Sequence, residues 1–174
     1  MLAAMATLIS LSGLPGVGKT TIARALSQRI GALHLRVDSV EAALKTSTLR
    51  IQAPEDAGYL AIAAVAGDNL SLGLDVIADT VNPVHASRRL WADTAVAATA
   101  GIANIEVVCS DRAEHRRRVE ARVSDIRGHA VPDWESVETR HYEPWTGDRL
   151  VLDSAQVSTP ECVARIVELL AQIR

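Results

Sequence analysis

Eight consecutive residues, Gly13-Leu14-Pro15-Gly16-Val17-Gly18-Lys19-Thr20, satisfy the spacing GxxxxGK[ST]. Each fixed position has a chemical reason. Glycines let the backbone wrap so that successive N–H groups point inward at an anion. The lysine brings a compact ammonium on a flexible stem to the β- and γ-phosphates of a nucleoside triphosphate, and the threonine hydroxyl is a hard-oxygen ligand for Mg²⁺. Thr21 continues the run. The chain has only two lysines, Lys19 and Lys45, against sixteen arginines. Lysine is kept where a planar guanidinium is too bulky for the cradle.

Two acids stand where such a cradle needs them. Asp79 closes the apolar run Val76-Ile77-Ala78, and an acid at the carboxyl end of a buried strand suits a Mg²⁺ ligand beside Thr20. The plainer alternative is a helix N-cap or a turn aspartate. Asp38 follows Leu35-Arg36-Val37, and a carboxylate there can take the proton of an attacking hydroxyl. Its plainer alternative is a helix N-cap, with Glu41 three residues on completing a capping box. Other features favour transfer to a bound hydroxyl over hydrolysis. The guanine-reading NKxD is absent, and Thr80 rather than Glu follows Asp79. The letters DxxG, at Asp125 to Gly128, fall in a polar segment rather than at a strand end.

Arginines concentrate at Arg112, Arg116, Arg117, Arg118, Arg122 and Arg127. On a helix, Arg118 and Arg122 share a face at i, i+4, with Val119 and Val123 expected to turn towards the core. A guanidinium stacks on a base or binds phosphate bidentately; the alternative is a solvated face balanced by Glu114 and Glu120. Arg88 and Arg89, after Asn82-Pro83, read either as holders of an acceptor's anionic group or as exposed surface arginines. The five histidines lack HxxxH or HExxH spacing, so they do not read as a metal site. Trp134, Tyr142 and Trp145 read as packing rather than as a platform for single-stranded nucleic acid.

These residues need a scaffold, and the hydrophobic pattern supplies one. Strands are predicted at 7–11, 33–37, 74–78 and 105–109, with a weaker one at 149–152. Helices are predicted at 20–30, ending on Gly31, at 56–72 and 84–99, from an Asp111/Glu114 capping box to about 123, and at 161–173. That alternation implies an α/β fold with a doubly wound parallel sheet. Residues 124–148, with Gly128, Pro132, Pro144 and Gly147, resist assignment and read as a lid between the fourth and fifth strands. At 174 residues, 48% apolar and 22% charged, the chain is expected to form one domain, 1–174. A net charge of −3 argues against binding nucleic acid through bulk charge. Cys109 and Cys162 have no CxxC spacing, which suits a reducing, cytoplasmic compartment. The opening MLAAMATLIS lacks a basic n-region, and Gly13 and Pro15 interrupt its apolar run, so neither a signal peptide nor a membrane span is expected. Oligomeric state and the acceptor's identity have no readable signature.

On the stretch from Gly13 to Thr21, on Val37-Asp38-Ser39, on Ile77-Ala78-Asp79-Thr80-Val81-Asn82 and on the arginine-rich helix before a lid, the chain resembles the AAA_33-type small P-loop kinases. That group gathers around chloramphenicol phosphotransferase, zeta toxins, gluconate kinase and the polynucleotide 5′-kinases. The resemblance covers most of the chain. It implies a three-layer P-loop NTPase fold with a five-stranded, nucleoside-kinase-like sheet, and it implies ATP, Mg²⁺ and a hydroxyl-bearing small-molecule acceptor. It puts the general base at Asp38 and the magnesium-organising acid at Asp79. RxxxR resembles nucleoside monophosphate kinases, which would lay Arg118 on adenine and bring Arg122 to phosphate. Asp153-Ser154-Ala155 resembles the loop passing the adenine edge, giving Ser154 a place there. Asn82-Pro83 with Arg88 or Arg89 resembles adenylylsulfate kinase, although Asp38-Ser39-Val40 departs from that enzyme's DGD. Two other readings stay open: a polynucleotide 5′-kinase, and an ATP-binding regulatory switch without turnover.

Overall fold

Residues 5–173 are described in a computed structural model; the first four residues of the opening run lie outside them. Five strands form an all-parallel sheet, β1 (Thr7–Ser12), β2 (Leu33–Arg36), β3 (Val76–Asp79), β4 (Gly101–Val108) and β5 (Leu150–Asp153), in the order β2-β3-β1-β4-β5. Between and after them come α1 (Lys19–Ile30), α2 (Val37–Thr46), α3 (Ala57–Ser71), α4 (His85–Ala97), α5 (Arg112–Glu120), α6 (Trp134–Glu138) and α7 (Thr159–Ile173). This is the doubly wound α/β architecture of a P-loop NTPase.

Side-chain alternation along β1 explains both layers. Ile9 and Leu11 enter a core with Ile22 and Leu26 of α1 and Ile166 and Leu170 of α7. Leu8, with Val76 and Ala78 of β3, enters the opposite core with Ile62 and Ala66 of α3 and Trp91 of α4. Burial on both faces is why the strands read as unbroken apolar runs. After β1 the chain leaves through α1 on one face, and after the neighbouring β3 it leaves through α4 on the other. That divergence opens a crevice at the carboxyl ends of β1 and β3, the usual ligand position in such sheets.

Four local departures from the sequence pattern have physical causes. Strand β4 begins at Gly101, because its first residues pair in register with β1 from Thr7 onward. Helix α2 begins at Val37, directly on the end of β2, so Asp38 lies inside its first turn and the Asp38–Glu41 capping box does not form. Helix α5 stops at Glu120, which leaves Val123 exposed rather than in the core. The predicted lid holds one short helix, α6.

Candidate active site

Backbone geometry explains the glycines of the cradle. Gly13, Gly16 and Gly18 all have positive φ, at 132°, 86° and 102°. A Cβ on Gly13 would overlap the Val107 carbonyl oxygen, and one on Gly16 would come within 2.5 Å of Val119 Cγ2. Close packing against β4 and α5 therefore excludes side chains there, beyond the backbone preference. Pro15 contributes its carbonyl, which accepts a hydrogen bond from the buried His115 Nε2 at 2.8 Å. Val17 is buried in the first core.

Lys19 opens α1 and curls back, its ammonium donating to the carbonyls of Gly13 at 2.8 Å and Leu14 at 2.9 Å. Burial brings its pKa down to about 8, against the opposing pull of Asp79 and Asp38. Asp79, at the end of β3, is buried. Burial pushes its carboxyl up, but the His34 hydrogen bond, the Lys19 charge and the Thr20 hydroxyl together bring it below the usual value. His34 Nε2 donates to Asp79 Oδ2 at 3.1 Å. Thr20 and an ionised Asp79 are hard oxygen donors, the set Mg²⁺ accepts alongside phosphate oxygens.

Across the crevice from the cradle, Asp38 sits in the first turn of α2. Three basic groups converge on its Oδ2: Arg36 Nη2 and Arg122 Nη2, both at 3.7 Å, and His129 Nε2 at 3.8 Å. Burial lowers the His129 pKa; Asp38 opposes this, and Arg122 and Arg36 reinforce it. Arg36 Nη1 donates to Asp125 Oδ1 at 2.8 Å, and Arg24 also bonds Asp125, so one lid carboxylate is held from two elements. These arginines hold the Asp125 carboxyl far below the usual range. Lys19, Thr20, Asp38, Asp79, Arg118 and Arg122 all line a single cleft of about 1040 Å³, together with Pro15, Gly16, Gly18, Thr21 and Ser154.

Arg118 and Arg122 reach different ends of this cleft. Arg118 donates to Ser154 Oγ at 2.9 Å and to the Ser154 carbonyl at 3.1 Å, while its Nε holds Glu114 at 2.7 Å. Arg122 lies beyond the end of α5 and turns to Asp38. Arg118 and Ser154 thus form one wall of the cleft.

Asn82 and Arg88 do not join them, and their assignment to an acceptor is corrected. Asn82 is fully buried, with Nδ2 donating to Ser10 Oγ, the Leu11 carbonyl and Ser12 Oγ, and Oδ1 accepting from Trp91 Nε1 at 2.9 Å. Arg88 is buried and donates to the carbonyls of Asn82, Pro144 and Glu143, under the rings of Tyr142 and Trp145. Together they join β1, α4 and the end of the lid. Both donor sets are spent on the fold.

Sequence reasoning missed His34, Arg36, His129 and Arg140. His34 lies beside Ile77 in the β2–β3 register, so only the strand order reveals its reach to Asp79. Arg36 was read as part of a strand, and its inward position follows from α2 starting immediately after it. His129 and Arg140 lie in the irregular segment, and no periodicity announces them.

The model of the AAA_33 family, described as an AAA domain, matches residues 8–137. No curated protein matches the chain. Several solved structures do. Adenylylsulfate (APS) kinase from Mycobacterium tuberculosis, solved with AMPPNP and APS, is 18% identical, with a TM-score of 0.69 over 96% of this chain and 98% of that one. Kti12 from Chaetomium thermophilum, solved with ADP-AlF3, is 23% identical, with a TM-score of 0.68 over 92% and 97%. A gluconokinase from Sinorhizobium meliloti is 18% identical, with a TM-score of 0.62 over 96% and 97%. At these identities the likeness is one of fold. The family model spans well over half of the sequence, from β1 and the cradle through α5, and the chain belongs to the AAA_33 family of AAA domains.

Proposed function

We propose that the protein is an ATP-dependent phosphotransferase that moves the γ-phosphate to a hydroxyl of a small molecule. One observation carries this reading: the Lys19 cradle, the Thr20–Asp79 pair and the carboxylate of Asp38 line the same cleft. In the proposed step the acceptor oxygen attacks the γ-phosphorus while its proton passes to Asp38. The bond from the γ-phosphorus to the bridging oxygen breaks, and ADP leaves with the electron pair. Thr20 and Asp79 would hold Mg²⁺, which supplies charge neutralisation at the phosphates. Lys19 adds a fixed charge there, and Arg118 with Ser154 would wall the adenine side. Asp38 favours transfer over a silent switch, because a binding module needs no base opposite its γ-phosphate.

The test is a transfer assay with ATP labelled in the γ-phosphate over nucleosides, sugars, antibiotics and nucleotide-sugars. A labelled organic product, lost in Lys19→Ala, supports the proposal. Tight nucleotide binding with no labelled product from any acceptor favours the switch instead.

A further inference from the structure

The cleft reverses the charge of the molecule. The chain carries −3, yet the cleft is lined by seven lysines and arginines against four carboxylates, Asp38, Glu41, Asp79 and Asp125. Lys19 and Arg118 belong to the nucleotide end. Arg36, Arg122 and His129 gather instead around Asp38, where the proposed acceptor lies, and Arg140 lines the same cleft.

The hydrogen bonding at that end is unfinished. Arg36 Nη2, Arg122 Nη2 and His129 Nε2 approach the same Asp38 oxygen at 3.7, 3.7 and 3.8 Å, each longer than a hydrogen bond. Arg36 is 9% exposed, and its buried Nε has no hydrogen-bond partner. Only Nη1, on the other edge of the guanidinium, is committed, to Asp125. The unfilled edge, Nε with Nη2, is the fork that takes an oxyanion bidentately. A donor left buried and unpaired destabilises the site, and a bound oxygen would offset that cost. The first turn of α2 also lacks a side-chain cap, so its amide groups keep their positive end at this site.

We propose that the acceptor carries an oxyanion, a carboxylate or a phosphate or sulfate ester, held by Arg36, Arg122 and His129 beside Asp38. This rests on the phosphotransfer reading and names its substrate class. The oxyanion takes the Arg36 fork while the acceptor hydroxyl donates to Asp38, so the two anionic groups share the cations between them. Arg140, at the same rim, adds charge without a fixed partner geometry.

Inorganic sulfate is the probe, titrated calorimetrically into protein saturated with Mg-AMPPNP so that the γ-phosphate position is already filled. One sulfate is expected to bind, weakened at least about tenfold in Arg36→Gln and in Arg122→Gln. Exposed Arg29, outside the cleft, is the control, and Arg29→Gln should leave binding unchanged. Folding of each variant is read separately from its AMPPNP affinity. No sulfate binding to the loaded protein, or equal binding in all variants, overturns the oxyanion site while leaving phosphotransfer standing. Failure of the wild type to bind AMPPNP at all overturns both.

Discussion

At Lys19, the pKa of about 8 arises mainly from burial, and it has a binding consequence. Phosphate oxygens favour the charged ammonium, so nucleotide binding takes up a proton once the pH exceeds that value. Affinity for Mg-ATP should be level below about pH 8 and fall up to about tenfold per pH unit above it. Calorimetric titrations from pH 7 to 9.5 check this, and a flat profile contradicts it. His34 holds Asp79, the proposed Mg²⁺ ligand, by a hydrogen bond from the side of β2. Outer partners of this kind typically change metal affinity by about 10–100-fold. His34→Ala should therefore weaken nucleotide binding in Mg²⁺ while leaving the metal-free affinity unchanged. Equal losses with and without Mg²⁺ would mean that His34 acts only through packing.

Among the elements, β1 and the cradle were legible because their residues carry both a motif and a period. Helix α1 begins and ends where Lys19 and Gly31 say it must, the latter with φ of 72°. Helix α2 was harder to read, since a strand running straight into a helix leaves no turn residue as a signal. Asn82 and Arg88 misled for a different reason. A polar residue after a strand looks alike whether it faces a ligand or its own backbone, and the deciding partners lie far away in sequence, at Ser10, Ser12, Glu143 and Pro144. Arg88 is the fastener between α4 and the end of the lid. Arg88→Met should release Trp145, seen as a red-shifted emission and faster amide exchange over residues 142–147. Nucleotide affinity should stay within about threefold, because no part of the arginine faces the cleft. A large loss of affinity without lid loosening would return Arg88 to the site. Between α5 and the cradle, Gly16→Ala should cost about 1–3 kcal/mol in thermal unfolding, because its Cβ meets Val119 at a φ of 86°. An unchanged melting temperature would contradict that packing.

Across the whole molecule, the divergence of α1 and α4 from neighbouring strands makes the cleft, and the lid supplies its basic rim. Asp125, held by Arg24 and Arg36, ties that rim to α1 and to the end of β2. Its carboxyl has a depressed pKa, so the tie is complete above the ordinary aspartate range and is lost as pH falls towards the lower folded value. Between the cradle and Asp38, the proposed reaction moves a phosphate from ATP to a hydroxyl whose proton goes to Asp38. The most direct measurement follows labelled γ-phosphate in wild type and in Asp38→Asn, scoring organic product and inorganic phosphate separately, with nucleotide affinity measured alongside. An organic phosphorylated product is expected from the wild type, with turnover reduced by about 10²–10⁴-fold in Asp38→Asn at unchanged ATP affinity. Undiminished transfer by Asp38→Asn, or release of inorganic phosphate alone by the wild type, would contradict it.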